Sequence, residues 1–222
     1  MRARTAIVMV VAFTAMAVLF SNGSALGSII SDPAADFSIT NGNPNGLWSY
    51  GWMDVGFTTF TLMPYGYLTG VGPDPSWGAT TIGDRSPVIW VNEAGYTEYG
   101  VAPGQLSLQP GPQNQPAVVR WTAPASIVGQ VTISGLFLPG DGGIMDVGVR
   151  LNNTTWLMQG TDSGTFNWTG SLSPGDTIDF DVYGGYNYGN TPLEATITFN
   201  VPEPASLSLL VLGGLTLLRR RK

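Results

Sequence analysis

Short segments in which apolar and polar residues alternate recur through residues 32–200 of this chain. The clearest spans residues 175–183, where Ile178, Phe180 and Val182 alternate with polar residues. Side chains of an extended strand point to opposite faces in turn, so the pattern predicts a half-buried β-strand. A helix has a period of 3.6 residues and would scatter these apolar side chains around its surface. The alternation therefore limits the body of the chain to β-structure.

The rest of the body supports the same fold class. No window has the period of an amphipathic helix, and Thr, Val, Gly, Pro and aromatic residues are abundant. Strands are predicted at residues 36–39, 47–53, 58–63, 88–92, 117–122, 131–134, 147–151, 154–158, 164–169 and 195–201. Residues 100–116, with their Gly-Pro and Asn-Gln steps, are predicted to be a loop. Many short strands in one stretch predict a single all-β domain, an antiparallel β-sandwich of jelly-roll type.

Composition excludes several kinds of chemistry. The chain has neither cysteine nor histidine, which excludes disulfide bonds, thiolate nucleophiles, zinc–sulfur centres and a Ser-His-Asp triad. Six of the nine cations lie at the two ends, so the body carries three cations against 14 acids, a net charge of −11. Such a body repels phosphate backbones, and we expect no nucleic-acid partner. Any metal site must use oxygen ligands, which suit calcium or magnesium.

The N-terminus has the three-part order of a secretory signal peptide. Two arginines precede an apolar run over residues 6–20, and small residues follow as far as Ala25, the last residue before a predicted cleavage point. An uncleaved membrane anchor is the alternative, but the run is shorter than the roughly 20 residues that a spanning helix needs. Residues 1–27 are therefore assigned to a signal peptide helix, and residues 28–200 to the β-sandwich ectodomain.

The C-terminal tail, residues 201–222, contains a short apolar segment followed by four cations. Residues 205–218 are predicted to form a hydrophobic helix of about 21 Å, against a hydrocarbon thickness of about 30 Å. Cations resist translocation, so the helix is expected to contact the membrane before processing with the cations on its cytoplasmic side. The four cations are Arg219, Arg220, Arg221 and Lys222. Pro202 and Pro204 keep the preceding chain extended, which suits the cleft of a processing enzyme.

This tail resembles the PEP-CTERM sorting tail of Gram-negative bacteria that make extracellular polysaccharide. The resemblance rests on Pro202, Glu203 and Pro204, the apolar helix, the terminal basic cluster and the N-terminal signal peptide. It implies recognition by an exosortase-type membrane transpeptidase and loss of the tail. It also implies delivery to the cell envelope, the outer surface or the extracellular matrix. An ordinary tail anchor is the alternative.

Three stretches of the body resemble PEP-CTERM ectodomains with a jelly-roll, carbohydrate-binding-module-like shape. They are NPNGLWSYGW (43–52), VVRWTAP (118–124) and GDTIDF (175–180). We interpret the protein as an exported surface or matrix protein with a non-enzymatic structural, adhesive or polysaccharide-binding ectodomain. Extracellular polysaccharide is the expected partner. The alternatives are an enzyme that acts on polysaccharide through a carboxylate pair, and a matrix protein that is only a scaffold.

Aromatic residues are the first candidates for binding. Trp48, Tyr50 and Trp52 stand at every second position and share one face of a predicted strand. If that face is exposed, the three rings form a platform on which sugar rings stack; if it is buried, they form part of the core. The pattern leaves both alternatives open. Core or rim positions are expected for Trp77, Trp90, Trp121, Trp156 and Trp168.

Oxygen-rich segments mark two candidate sites for a structural calcium ion. A glycine-rich turn places Asp141 and Asp146 five positions apart, where backbone carbonyls could complete a calcium shell. A plain turn between strands is the alternative. By analogy with jelly-roll sugar-binding modules, Asp32 or Asp36 could share a calcium ion with Glu194 where the first and last strands lie close. No other cofactor is expected.

One carboxylate pair has the spacing for glycoside hydrolysis. Asp179 and Asp181 share a strand face, with Cα atoms about 7 Å apart. The alternative is a solvated outer face opposite Ile178, Phe180 and Val182. We interpret the pair as part of a solvated face and predict no catalytic residue.

Overall fold

The computed structural model describes residues 26–68, 73–80, 86–186 and 189–203. The strands are β1 Leu26–Ser31, β2 Trp48–Met53, β3 Phe60–Leu62, β4 Tyr65–Leu68, β5 Pro75–Gly78, β6 Val88–Val91, β7 Leu106–Gln109, β8 Ala117–Thr122, β9 Val128–Phe137, β10 Asp146–Leu151, β11 Thr155–Thr161, β12 Gly164–Ser171, β13 Thr177–Tyr183 and β14 Thr191–Pro202. Within these ranges, no helix has the length and apolar character needed to cross a membrane.

Two antiparallel sheets form a sandwich. The eight-stranded sheet has the order β12-β9-β14-β7-β6-β5-β4, and β1 pairs with the second half of β14. The six-stranded sheet has the order β11-β10-β13-β8-β2-β3. This architecture confirms the predicted all-β antiparallel sandwich.

The core lies between the sheets and is built by the alternating residues. Ile178, Phe180 and Val182 of β13 are fully buried in it, as the sequence pattern predicts. Ile133 of β9 and Ile197 of β14 belong to the same cluster. Complete burial of such a side chain contributes about 1.5–3 kcal/mol. The period of two therefore identifies the inward face of these strands correctly.

One side of the sandwich differs from the prediction. The predicted loop 100–116 contains β7, all of whose residues are buried, and β5 is also buried throughout. A second apolar cluster of Val88, Trp90 and Val101 packs apart from the main core. Both strands are only four residues long: β7 reads LSLQ and alternates, but the Gly-Pro and Asn-Gln steps around it indicated a loop, and β5 reads PSWG, with a proline and a glycine at its ends. Residues 36–39, predicted as a strand, lie instead in a turn and bend.

Both ends of the body continue the sheet further than the sequence indicates. Leu26 pairs with Pro202 and Ser31 pairs with Ile197. The predicted limits of the ectodomain, 28 and 200, therefore each fall two residues inside a strand. Ladder pairing between distant segments sets these limits, and residue type alone does not show it. The helices predicted for the signal peptide and for the C-terminal tail lie outside the described residues.

Candidate functional site

Trp48 and Tyr50 belong to the core. Both have 0% relative exposure. The Trp48 indole nitrogen donates to Asp36 Oδ2 at 3.0 Å, and the Tyr50 hydroxyl donates to a backbone carbonyl at 3.0 Å. Burial, together with the charge of Asp36, raises the pKa of Tyr50. The sugar-platform alternative is wrong for these rings because their strand lies between β8 and β3 with this face inward; Trp52 is partly buried against the same core.

Asp179 and Asp181 point away from the core, yet both are fully buried. Arg120 donates to Asp179 through Nε–Oδ1 at 2.6 Å and Nη2–Oδ2 at 2.8 Å. Arg150 donates to Asp181 through Nε–Oδ2 and Nη2–Oδ1, both at 2.7 Å. The predicted solvated face is therefore wrong. Strand register is the reason, because it places Asp179 directly between Arg120 on β8 and Arg150 on β10.

The two ion pairs form one connected cluster. Arg150 Nη2 also lies 3.5 Å from Asp179 Oδ2, and its Nη1 donates to the Asn153 carbonyl at 3.0 Å. Burial lowers the pKa of Arg150, but its contacts with Asp181 outweigh this effect and raise it. Burial raises the pKa of Asp181, and the guanidinium of Arg150 opposes that rise. Both carboxylates are enclosed and paired, so neither can reach a polysaccharide as an acid or a nucleophile.

Aromatic side chains cover the two arginines on the outer side of the six-stranded sheet. We call these four half-buried residues the aromatic patch: Phe57, Phe60, Trp156 and Tyr183. The Arg120 guanidinium carbon lies 4.0 Å from the centre of the Phe60 ring. That of Arg150 lies 4.4 Å from the Phe57 ring centre and 5.1 Å from that of Trp156, all within cation–π range. The rings and the ion pairs therefore form one layered assembly.

Phe57 is the ring that joins the patch together. It meets Trp156 and Tyr183 edge-on, with ring centroids 5.4 Å and 5.0 Å apart. Trp156 and Tyr183 are themselves 5.8 Å apart. Edge-to-face contacts in this range are favourable because the ring edge is positive and the ring face negative.

The connection between β2 and β3 holds Phe57 in place. Asp54 Oδ1 accepts hydrogen bonds from the backbone nitrogens of Thr58 and Thr59, both at 2.7 Å, and Oδ2 accepts from the Thr58 hydroxyl at 2.6 Å. The Thr58 hydroxyl, followed by the backbone of Thr59, lowers the pKa of Asp54. Phe57 has a φ of 56°, a left-handed conformation that is rare for a bulky residue. The Asp54 turn thus stabilises an uncommon backbone that aims Phe57 at Arg150.

Two glycines allow patch rings to lie close on the sheet. A Cβ built at Gly51 would lie 2.4 Å from Phe60 Cζ. A Cβ built at Gly148 would lie 2.3 Å from Trp156 Cζ3. Both distances are far shorter than real carbon contacts, so any side chain at either position would displace the ring. Glycine at these two positions therefore leaves the space in which both rings pack directly against the backbone of the strands.

Polar groups border the patch. Gln159 Nε2 donates to the Tyr183 hydroxyl at 3.4 Å, and the Thr161 hydroxyl donates to Asp146 Oδ1 at 2.8 Å. The register places Asp146 opposite both Tyr183 and Thr161. The border therefore offers an amide, hydroxyls and one carboxylate, groups that can bond to sugar hydroxyls.

The first pair of predicted calcium ligands makes separate hydrogen bonds. Asp141 Oδ1 accepts from Asn190 Nδ2 at 3.2 Å, whereas Asp146 accepts from Thr161 at the border of the patch. In the part of the chain that the structure describes, no three acidic side chains are grouped to hold a metal ion. Calcium binding at this turn stays a prediction.

The residues of the second predicted calcium site also make hydrogen bonds to other groups. Asp32 Oδ1 accepts from the backbone of its own turn, and Asp36 Oδ2 accepts from Trp48. Glu194 Oε1 accepts from Gln105 Nε2 at 2.7 Å. Calcium shared by Asp32 or Asp36 with Glu194 likewise stays a prediction.

The sorting motif begins at the end of the last strand. Pro202 is the final residue of β14, and Glu203 is exposed. The other predicted motif residues, Pro204, Arg219, Arg220, Arg221 and Lys222, lie outside the described residues.

A comparison with protein families identifies the tail. Residues 200–222 match the family model described as the PEP-CTERM protein-sorting motif. The chain therefore carries this motif, as the sequence predicts, and the motif indicates an exported protein that is sorted to the cell envelope. A search of curated proteins gave no significant match to the chain.

Solved structures similar to the body include binding modules and enzyme chains. A native family 35 carbohydrate binding module from Clostridium thermocellum is 10% identical, with a TM-score of 0.32, over 60% of this chain and 95% of that chain. A CBM35 from Cellvibrio japonicus is 11% identical, with a TM-score of 0.30, over 78% of this chain and 92% of that one. An exo-beta-1,3-galactanase from Phanerochaete chrysosporium, crystallised with galactose, is 16% identical, with a TM-score of 0.31, over 68% of this chain and 32% of the galactanase.

Proposed function

We propose that this is an exported surface or extracellular-matrix protein of a Gram-negative bacterium whose ectodomain binds polysaccharide, without catalysis, through the aromatic patch. An exosortase-type enzyme recognises residues 202–204 and removes the tail after the apolar segment has held the chain at the membrane. The sorting motif supports the proposed export and sorting. The aromatic patch supports the proposed polysaccharide binding.

The observation that carries the proposal is a group of rings fixed before any ligand arrives. Aromatic faces pack against the apolar C–H faces of sugar rings, so partly exposed rings are suitable sugar contacts. Asp54 holds the Phe57 loop, and Gly51 and Gly148 seat Phe60 and Trp156. Side chains that are already ordered lose little conformational entropy on binding, which favours affinity.

Charge favours a neutral polysaccharide. The cations of the described residues, Arg120 and Arg150, both pair with carboxylates beneath the rings. Asp146 contributes a negative charge at the border, and the body carries a net charge of −11. A uronic-acid or sulfated chain would be repelled and would find no unpaired cation among these residues. Neutral sugar chains, held by stacking and hydrogen bonds, fit the patch best.

Catalysis is not part of the proposal. Glycoside hydrolysis uses two carboxyl groups about 5 to 9.5 Å apart beside the substrate. Asp179 and Asp181 are buried and bound to guanidinium groups, and Asp146 accepts a hydrogen bond from Thr161. These contacts support a binding surface rather than an acid–base pair.

A glycan array probed with the mature exported protein tests this function. We expect binding to neutral glycans, little dependence on salt because stacking dominates, and weak binding to uronic-acid polymers. Trp156→Ala should weaken the signal. Tyr65→Ala is the matched control, since Tyr65 is an exposed aromatic residue of the other sheet. Binding restricted to acidic glycans, or an unchanged signal in folded Trp156→Ala protein, would contradict the proposal.

A further inference from the structure

A pair of buried carboxyl groups lies on the eight-stranded sheet, whereas the aromatic patch lies on the six-stranded sheet. Asp74 directly precedes β5 and is 2% exposed, and Glu98 lies between β6 and β7 and is 7% exposed. Carboxyl groups are almost never this buried unless they are paired with a compensating group. The pair therefore requires a compensating partner.

Glu98 belongs to a tightly built connection, residues 92–105, which we call the tyrosine loop. The Asn92 side chain donates to the carbonyls of Tyr96 at 2.8 Å and Val101 at 2.7 Å. Glu98 and Val101 exchange two backbone hydrogen bonds, at 3.0 and 2.7 Å. The loop presents Tyr96 and Tyr99 to solvent, with 59% and 49% exposure. Its backbone is thus fixed while its tyrosines stay accessible.

Asp74 links this loop to the neighbouring strand. Its Oδ1 accepts a hydrogen bond from the Glu93 backbone nitrogen at 2.7 Å, which leaves Oδ2 for another contact. Glu98 Oε2 is buried, and no donor among the described residues bonds to it. The side chains of Asp74 and Glu98 lie within hydrogen-bonding contact of each other. Two ionised carboxylates in this position would therefore repel each other at short range.

No described cation is available to neutralise the pair. Arg120 and Arg150 are the cations in the described ranges, and both are engaged with Asp179 and Asp181 on the other sheet. The titratable groups that face Asp74 are Glu93, Glu98 and Tyr96, with Tyr99 next to Tyr96, and the Tyr96 side chain also makes a hydrogen bond with Glu98. All of these are acids.

We propose that Asp74 and Glu98 share one proton, with the Asp74 hydroxyl donating to Glu98 Oε2, and that this proton latches the tyrosine loop to the sheet. The shared proton satisfies the buried oxygen and removes one of the two charges. When it leaves to solvent, two carboxylates remain and repel each other. The loop then loosens while the sandwich stays folded.

The direction of the pH dependence follows from the surroundings. Burial and the nearby Glu98 carboxyl raise the pKa of Asp74, while the hydrogen bond from the Glu93 nitrogen opposes the rise. A carboxyl whose pKa is raised by folding contributes its full stabilisation below the unfolded value of about 3.9, and loses it as pH rises through the folded value. The latch is therefore closed at low pH and opens as the pH rises through the folded-state pKa of Asp74.

Hydrogen exchange of the tyrosine loop in the full protein tests the latch. After correction for intrinsic exchange rates, wild-type protection of residues 92–105 should fall with rising pH, by at most about tenfold per pH unit for one proton. Asp74→Asn carries a permanent N–H donor for Glu98 Oε2 and should keep its protection at every pH. Glu98→Gln, which can donate in the opposite direction, should behave in the same way. Asp54→Asn, on the other sheet, is the control and should follow the wild type.

Two results would overturn the proposal. One is wild-type protection that does not change with pH, or that changes equally in Asp74→Asn. The other is restoration of protection at high pH by millimolar Ca²⁺ in the wild type but not in Asp74→Asn, which would make the pair a cation site. Loss of glycan binding by patch variants bears on neither result, since the patch lies on the other sheet.

Discussion

Leu26 lies directly opposite Pro202 in the antiparallel ladder of β1 and β14. The first residue after the predicted signal-peptide cleavage point is therefore a cross-strand neighbour of the first proline of the sorting motif. Neighbouring strands are about 4.8 Å apart, so the two predicted processing sites lie next to each other at one edge of the sandwich. Cleavage after Ala25 keeps β1 whole, whereas cleavage two residues later would remove part of its pairing with β14.

Mass spectrometry of the mature protein from its native host tests this processing scheme. We expect Leu26 as the first residue and loss of the terminal Arg219, Arg220, Arg221 and Lys222, because both hydrophobic ends are removed during export. Recovery of an intact C-terminus from the cell surface would contradict sorting through the tail.

Truncation of a core ring should cost stability rather than binding. Trp48→Ala removes a fully buried indole and its hydrogen bond to Asp36, so the free energy of unfolding should fall by about 3–5 kcal/mol. Trp48→Ala combined with Trp52→Ala should hardly fold. Urea denaturation followed by circular dichroism measures the loss. A double variant as stable as the wild type would mean that this face is not the core.

The ion pair under the patch should show strong coupling. Asp181→Asn leaves the Arg150 charge buried without its bidentate partner, and should cost about 3–5 kcal/mol. Arg150→Met combined with Asp181→Leu removes both charges and should cost less than Asp181→Asn alone. Urea denaturation of Asp181→Asn, of the double variant and of its two component single variants, Arg150→Met and Asp181→Leu, measures the difference. Strictly additive losses would show that the pair acts as two independent residues.

Acid should release the Phe57 loop. The hydrogen bonds to Asp54 lower its pKa, so the carboxylate stabilises the loop above the unfolded value of about 3.9 and loses this effect as pH falls through the lowered folded value. After correction for intrinsic exchange rates, hydrogen-exchange protection of residues 54–60 should therefore be lower below about pH 3.9 than above it. Asp54→Asn, which cannot ionise, should show no such change. Equal protection on both sides of this window in the wild type would rule out a role for the Asp54 charge.

The fold was largely predictable from the sequence, for a specific reason. One face of β13 meets the core, so its apolar residues Ile178, Phe180 and Val182 alternate with polar residues. Strands with this alternation can be recognised from the sequence. Strands β5 and β7 were missed because each is only four residues long and the Gly and Pro residues in or beside them indicated turns. The alternation also shows that Trp48 and Tyr50 share a face, but the position of their strand within the sheet decides that the face is buried.

The candidate site was much less predictable. Asp179 is buried by Arg120, 59 positions away in sequence, and Asp181 by Arg150, 31 positions away. Strand register brings these pairs together, and no local pattern encodes it. Trp156 was expected only at a core or rim position. The sequence feature that could have indicated the patch is the turn that begins at Asp54. Thr58, four residues later, donates its hydroxyl to the Asp54 carboxylate and so stabilises this turn.

Binding of neutral polysaccharide by the aromatic patch can be tested with one matched pair of tryptophan variants. Trp156 and Trp168 are both half-buried tryptophans, but Trp156 belongs to the patch and Trp168 packs against the main core from the other sheet.

The measurement is the affinity of folded protein for a neutral polysaccharide that the array identifies, with the melting temperature recorded for each variant. Trp156→Ala should weaken binding by about tenfold, equivalent to about 1.4 kcal/mol of lost stacking. Trp168→Ala should bind like the wild type, although it melts at a lower temperature because it loses core packing. Unchanged affinity in folded Trp156→Ala protein, or an equal loss of affinity in both variants, would contradict the account.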